Sequence, residues 1–254
     1  MSNDLAGKVV FITGASTGIG AAAARAFGRA GCRLVVHCNA SREAAQALVN
    51  ELHAAGTTAD LLQGDVTVEG TPARLVGEAL ALHGRIDVLV NNAGGMVGRS
   101  RIEAYTDAYL HQVLALNVTQ VAMFMQAVVP SMRARKSGNI INVGSVAARL
   151  GGGAGAVVYA GAKGFISTAT RGWAKELVGD GIRVNAVSPG VIETPFHERY
   201  STAEQLKAMQ AMIPMNRLGS ADECSGAFLY LASDALSGYV TGQIIEVNGG
   251  QFMP

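Results

Sequence analysis

The sequence predicts a doubly wound α/β fold, a single domain on a parallel seven-stranded sheet with helices on both faces. Three observations carry that expectation. Short β-branched apolar runs alternate with helix-forming segments along all 254 residues. The runs are continuous rather than alternating in polarity, as strands covered on both faces require. A glycine-rich turn follows the first of them, and right-handed crossovers would bury the sheet between two helical layers.

In chain order, "KVVFIT" reads as the first strand, and "TGASTGIG" turns it into the small-residue helix "GAAAARAFGRAG". "RLVVHC", "ADLLQG" and "IDVLVN" follow as strands, separated by the helical segments "SREAAQALVNELHAAG" and "TPARLVGEALALHG", which stop at glycine. The most apolar stretch, "VLALNVTQVAMFMQAVVP", is interrupted by Asn117, Thr119 and Gln120 and ends in Pro130, which suits a buried helix better than a membrane span. "GNIINVG", the helix "VVYAGAKGFISTATRGWAKELVGDG", "IRVNAVS" and "QIIEVNG" complete the alternation. The irregular segment after "IRVNAVS", at about 191–217, reads as a substrate lid, because loops leaving the carboxyl ends of such strands form the ligand crevice. No linker, low-complexity tract or repeat interrupts the chain, so one domain is expected over 1–254.

Composition narrows the function classes. With 49% hydrophobic and 15% charged residues and 32 glycines, the chain can bury a large interior and turn tightly. A net charge of +1 gives no electrostatic reason for a nucleic-acid or anionic-membrane partner. The N-terminal "MSNDLAGKVVFITG" lacks the pattern of a secretory signal, so a cytoplasmic location is expected. Cys32, Cys38 and Cys224 are odd in number and without metal-ligand spacing; they read as small buried hydrophobes, and no metal site is expected.

Some residues read as chemistry. Tyr159 and Lys163 lie four apart in a helical segment, hence on one face, where a phenol and an ammonium can act together. In the glycine turn, Gly14, Gly18 and Gly20 let the backbone bend sharply and aim a helix N-terminus at a pyrophosphate, although an ordinary strand–helix turn has the same look. Asp65, followed by Val66, can accept from an adenine amino group or serve as a helix N-cap. Asn92, Ala93 and Gly94 in "NNAG" suit either a strand end against a nucleotide or a plain turn.

"TGASTGIG", "NNAG", Asn117, Ser145, "YAGAK" and "RVNAVSPGVIETP", in this order and spacing, resemble the single-domain branch of the short-chain dehydrogenase/reductases, over nearly the whole chain. The resemblance implies a Rossmann-type fold and hydride transfer between a nicotinamide cofactor and a secondary alcohol or ketone. Tyr159 would be the general acid or base, with Lys163 lowering its pKa and gripping the nicotinamide ribose. Ser145 would polarise the substrate oxygen. Asn117 would hold a water linking Lys163 to solvent. The cofactor would lie on Gly14, Ser16, Thr17, Gly18, Ile19 and Gly20, along Val66, Asn92, Ala93 and Gly94, and against Pro189, Gly190, Ile192 and Thr194. A homotetramer is implied as well. The other class in view is a silent nucleotide-binding sensor or scaffold, which has no chemical reason to keep all four of Asn117, Ser145, Tyr159 and Lys163.

The second strand ends in Cys38, where an acidic residue would favour NAD, and the segment "LVVHCNASREAA" holds no carboxylate before Glu43. Asn39, Ser41 and Arg42 can instead contact a 2′-phosphate, so NADP(H) is expected over NAD(H). Arg42 also reads as a solvated first-turn residue. For substrate, the lid cluster Glu193, Phe196, His197, Glu198, Arg199 and Tyr200 favours a hydroxylated molecule such as a sugar or polyol. The overall resemblance points to 3-oxoacyl thioesters, with Arg133, Arg135 and Lys136 available to attract an acidic carrier. The longer epimerase and dehydratase relatives are less apt, because they add a C-terminal domain and this sequence stops at Pro254.

Overall fold

The computed structural model describes residues 4–254. Residues 1–3, on which the reading of the N-terminal signal partly falls, lie outside the described residues. The main sheet comprises β1 (Val9–Ile12), β2 (Arg33–Cys38), β3 (Ala59–Gln63), β4 (Val88–Asn91), β5 (Gly138–Val143), β6 (Ile182–Pro189) and β9 (Ile244–Val247). A separate two-stranded ribbon pairs β7 (Ile192–Glu193) with β8 (Gly219–Ser220). The helices are α1 (Gly18–Arg29), α2 (Arg42–Ala54), α3 (Thr71–His83), α4 (Asp107–Leu114), α5 (Gln120–Ala134), α6 (Ala147–Leu150), α7 (Val157–Leu177), α8 (Pro195–Tyr200), α9 (Ala203–Ala211), α10 (Ser225–Ala232) and α11 (Asp234–Ser237).

The seven strands run parallel in the order β3-β2-β1-β4-β5-β6-β9. All seven strands read from the sequence are present. Successive residues serve opposite faces: Val10 and Ile12 pack with Ala23, Phe27 and Phe228 on one side, Val9 and Phe11 with Phe124 and Val128 on the other. Both faces of the sheet are buried, so the strands are largely apolar. Phe11 and Phe124 meet edge to face, with centroids 5.7 Å apart.

Connectivity reverses between β1 and β4, which opens a crevice at their carboxyl ends, where a ligand binds in such sheets. By length and composition the helical run Asp107–Ala134 could cross a bilayer. In the fold Phe124, Val128 and Met132 of that run are fully buried beneath the sheet. The apolar stretch ends at Pro130, and α5 continues past it to Ala134. Proline removes only one N–H, and the last turn is held by Arg135, whose Nη1 donates to the carbonyl and hydroxyl of Ser131.

Between α4 and α5 the helix widens into a π turn over Ala115–Thr119. Such turns are rare and frequent at functional sites. This one carries Asn117, fully buried. Its Nδ2 donates to the carbonyls of Gly95 and Val113, and its Oδ1 accepts from Gly95 N–H at 3.1 Å.

Candidate active site

A cavity of about 760 Å³ opens over the carboxyl ends of the central strands. Every catalytic and cofactor-binding residue expected at the site lines it except Arg42, Asp65 and Asn117. Arg42 donates to Gln63 Oε1 at 2.7 Å. Asp65 is exposed and accepts from Thr67 N–H and Oγ1, an Asx-type turn that also holds its carboxyl below the usual range. Asn117 faces the Gly95 backbone beside Lys163: a Cβ added at Gly94 would lie 2.9 Å from Asn117 Oδ1 and 3.1 Å from Lys163 Nζ.

The glycine turn is shaped by close approach. A Cβ on Gly14, whose φ is +62°, would fall 2.9 Å from Ala93 Cα, and one on Gly20 would fall 2.5 Å from Asn92 Nδ2. Asn92 ties this turn to β4 by donating to the carbonyls of Thr13 and Gly14. At the start of α1, Thr17 supplies no side-chain cap and the first turn has no acidic residue. The free N–H groups and the positive end of the helix dipole therefore face the cavity, a fit for a pyrophosphate. Asn39 and Ser41 line the same end, next to buried Cys38, so a ribose or its phosphate would meet neutral donors there.

At the other end, α7 presents Tyr159 and Lys163 from one buried face. The Lys163 ammonium donates to the Val143 carbonyl at 2.9 Å and sits 5.9 Å from the centre of the Tyr159 ring. Burial brings Lys163 down to about 8. The Tyr159 phenol is pushed up to about 12 by burial, with hydrogen bonding to Ser145 pulling it back. This reverses the direction expected from the sequence. The reason is physical: both groups are withdrawn from water, and desolvation of the phenolate outweighs its one hydroxyl partner. Ser145 stands at the carboxyl end of β5, and its Oγ also accepts from Ala147 N–H at 3.1 Å.

The lid segment lies beside this pair. Phe196 packs against Tyr159 with ring centres 5.8 Å apart, and His197 and Tyr200 meet Phe196 edge to face. His197 bonds Ser201 Oγ through Nδ1, and burial together with nearby Arg99 lowers its pKa. Glu193 and Glu198 are exposed and do not line the cavity. Met209 and Met212 line it instead, from α9 and its C-terminal end. The "TAEQ" capping box, in which Thr202 and Gln205 bond reciprocally, marks the start of α9 and would have located it. His37 and Arg99 also line the cavity, and neither belongs to a motif. Of the basic cluster considered for a carrier, Arg133 pairs with Asp180 and Arg135 bonds the carbonyls of Ser131 and Ile86. The three cysteines are buried and free, and no metal-holding cluster occurs among the described residues.

Residues 14–251 match the family model described as enoyl-(acyl carrier protein) reductase. The 3-oxoacyl-[acyl-carrier-protein] reductase FabG of Thermotoga maritima is 39% identical over 250 residues, covering 97% of this chain and 98% of its own. That of Escherichia coli is 35% identical over 251 residues, with 97% and 98% covered. Among solved structures, an NADH-dependent reductase A1-R' responsible for alginate metabolism superposes with a TM-score of 0.92 at 37% identity, and its complex with NAD with 0.89, each covering both chains completely. On this agreement of whole-chain similarity, sheet order and cavity, the chain belongs to the short-chain dehydrogenase/reductase family and is an NAD(P)-dependent oxidoreductase interconverting a secondary alcohol and a ketone.

Proposed function

We propose that the chain uses Tyr159 as general acid in ketone reduction and general base in alcohol oxidation. The observation that carries this reading is the burial of Tyr159 and Lys163 on one face of α7, inside a cavity that also holds Ser145. When bound, a nicotinamide cofactor supplies or accepts the hydride. Ser145 donates to the substrate oxygen and holds it by the phenol. Tyr159 gives the proton to that oxygen or takes it away. Lys163, kept by the Val143 carbonyl, balances charge developing on the phenolate. Asn117 acts as a positioning residue, fixing the Gly94–Gly95 backbone against which Lys163 lies.

The glycine turn and the start of α1 hold the pyrophosphate, with Pro189, Gly190, Ile192 and Thr194 around the nicotinamide. Asn39 and Ser41 support NADP(H) as the preferred cofactor, because no carboxylate stands at the end of β2 to repel a 2′-phosphate. NAD(H) is the second reading: Arg42 is engaged by Gln63, and the solved relative is described as NADH-dependent. Comparing kcat/KM for the two cofactors tests this, and equal or NADH-favouring values defeat the first reading.

Residues 191–217 serve as the substrate lid of the single domain 1–254. The substrate is a 3-oxoacyl-type ketone, as the names of the FabG relatives suggest, or a sugar-like ketone, as the name of the alginate-pathway relative suggests. Exposed Phe165 and Met123, with Leu236 and Tyr239 at the other end of the chain, support assembly as a homotetramer. Light scattering tests the assembly.

A further inference from the structure

Arg99 is a cavity residue that the proton and hydride chemistry leaves without a task. It lies in the loop after β4, two residues beyond Val97, whose φ of +64° is a strained setting for a β-branched side chain. Its Nε donates to the carbonyl of Tyr200, at the end of α8, at 3.0 Å. Its Nη1 donates to the carbonyl of Ala154, in the loop leading into α7, at 2.9 Å. That loop leaves room for the side chain: a Cβ on Gly155 would lie 3.0 Å from Arg99 Cβ, and one on Gly153 would lie 3.6 Å from Nη1. The guanidinium is thus pinned between two segments that flank Tyr159, while Nη2 has no protein partner among the described residues.

The charge around it is one-sided. Arg99, Lys163 and Arg199 line the cavity, and among the described residues no carboxylate does. The phosphates of a dinucleotide are met by the glycine turn, whereas Arg99 is bonded to the segment whose Phe196 touches Tyr159. A guanidinium fixed by two of its nitrogens, with the third unpartnered, suits a planar anion better than a hydroxyl or an acyl chain. We propose that Arg99 receives a carboxylate of the substrate, so that the ketone reduced at Tyr159 is an oxo acid. This rests on the reading of Tyr159 as proton donor and names the substrate class within it.

The test uses acetoacetate and 4-oxopentanoate, each against its methyl ester and against an acetoacetyl thioester, with reduced cofactor. The acids are expected to exceed their esters in kcat/KM by on the order of 10- to 100-fold, through KM. Arg99→Gln should bring that ratio toward one, and Arg99→Lys, which keeps the charge without the fork, should restore part of it. Binding of 4-hydroxypentanoate to the enzyme saturated with oxidised cofactor is measured separately by calorimetry. Acids that bind through Arg99 without being reduced support the anion site while defeating the reduction reading. Esters or the thioester reduced as well as the acids, an Arg99→Gln variant that lowers acid and ester alike, or no binding of the hydroxy acid overturns the inference and leaves the reduction reading standing.

Discussion

The backbone N–H of Gly14 donates to Nδ1 of His37 at 3.0 Å, so the phosphate-facing turn is fastened to the end of β2 by an imidazole. Because an amide N–H can only donate, Nδ1 must be the bare nitrogen. Nε2 then carries the proton and donates to the Gly64 carbonyl at 2.9 Å. His37 is buried, and burial lowers its pKa from 6.5, with Gly64 and Asp65 opposing and Arg74 assisting.

A depressed histidine pKa means that the folded turn favours the neutral ring. Its contribution is complete above pH 6.5 and is lost as pH falls below that value toward the lowered one. Thermal stability, measured from pH 8 to pH 5, is therefore expected to hold at the alkaline end and to lose this contribution on acidification. His37→Phe should weaken cofactor binding about tenfold at pH 8 by loosening the turn, and should flatten this part of the stability profile. A phenylalanine variant with native cofactor affinity would contradict the role of the imidazole.

Lys163, at about 8, loses its proton well before Tyr159, at about 12. Raising the pH through about 8 therefore removes the ammonium that balances a phenolate while the phenol keeps its proton. Ketone reduction, which leaves a phenolate beside Lys163, should accordingly fall through about pH 8. Reduction rates that are flat between pH 6 and pH 9 with chemistry rate-limiting would contradict the role of the ammonium.

Gly94 lies against both Lys163 and Asn117, and a methyl group there would meet a polar atom of each. Gly94→Ala is expected to cut kcat by about 10- to 100-fold by displacing the ammonium from the Val143 carbonyl. Thermal unfolding should shift by only a few degrees, on the order expected for about 1–2 kcal/mol. A variant with normal kcat would show that the packing around Lys163 is loose.

The sheet was legible because strands covered on both faces are largely apolar, as the VVFI of β1 and the VLV of β4 are. The glycine turn and Tyr159–Lys163 were legible because close backbone approach and helical spacing leave a local signature. Other features have none. Ile192–Glu193 and Gly219–Ser220 are too short to show a period. The π turn at Asn117 changes the helical winding without changing composition. His37 reads as one more strand residue, and Arg99 as a loop cation, because each is defined by backbone partners distant in sequence. The rise in the Tyr159 pKa was missed because spacing gives neighbours but not burial.

The most direct measurement compares Tyr159→Phe with the native enzyme under saturating ketone and reduced cofactor, alongside cofactor affinity by calorimetry. Loss of the phenolic proton should lower turnover by about 10²- to 10⁴-fold while the cofactor binds within a factor of about three of native. Native-like turnover in the phenylalanine variant would contradict the account, since a group other than the Tyr159 phenol would then be exchanging the proton.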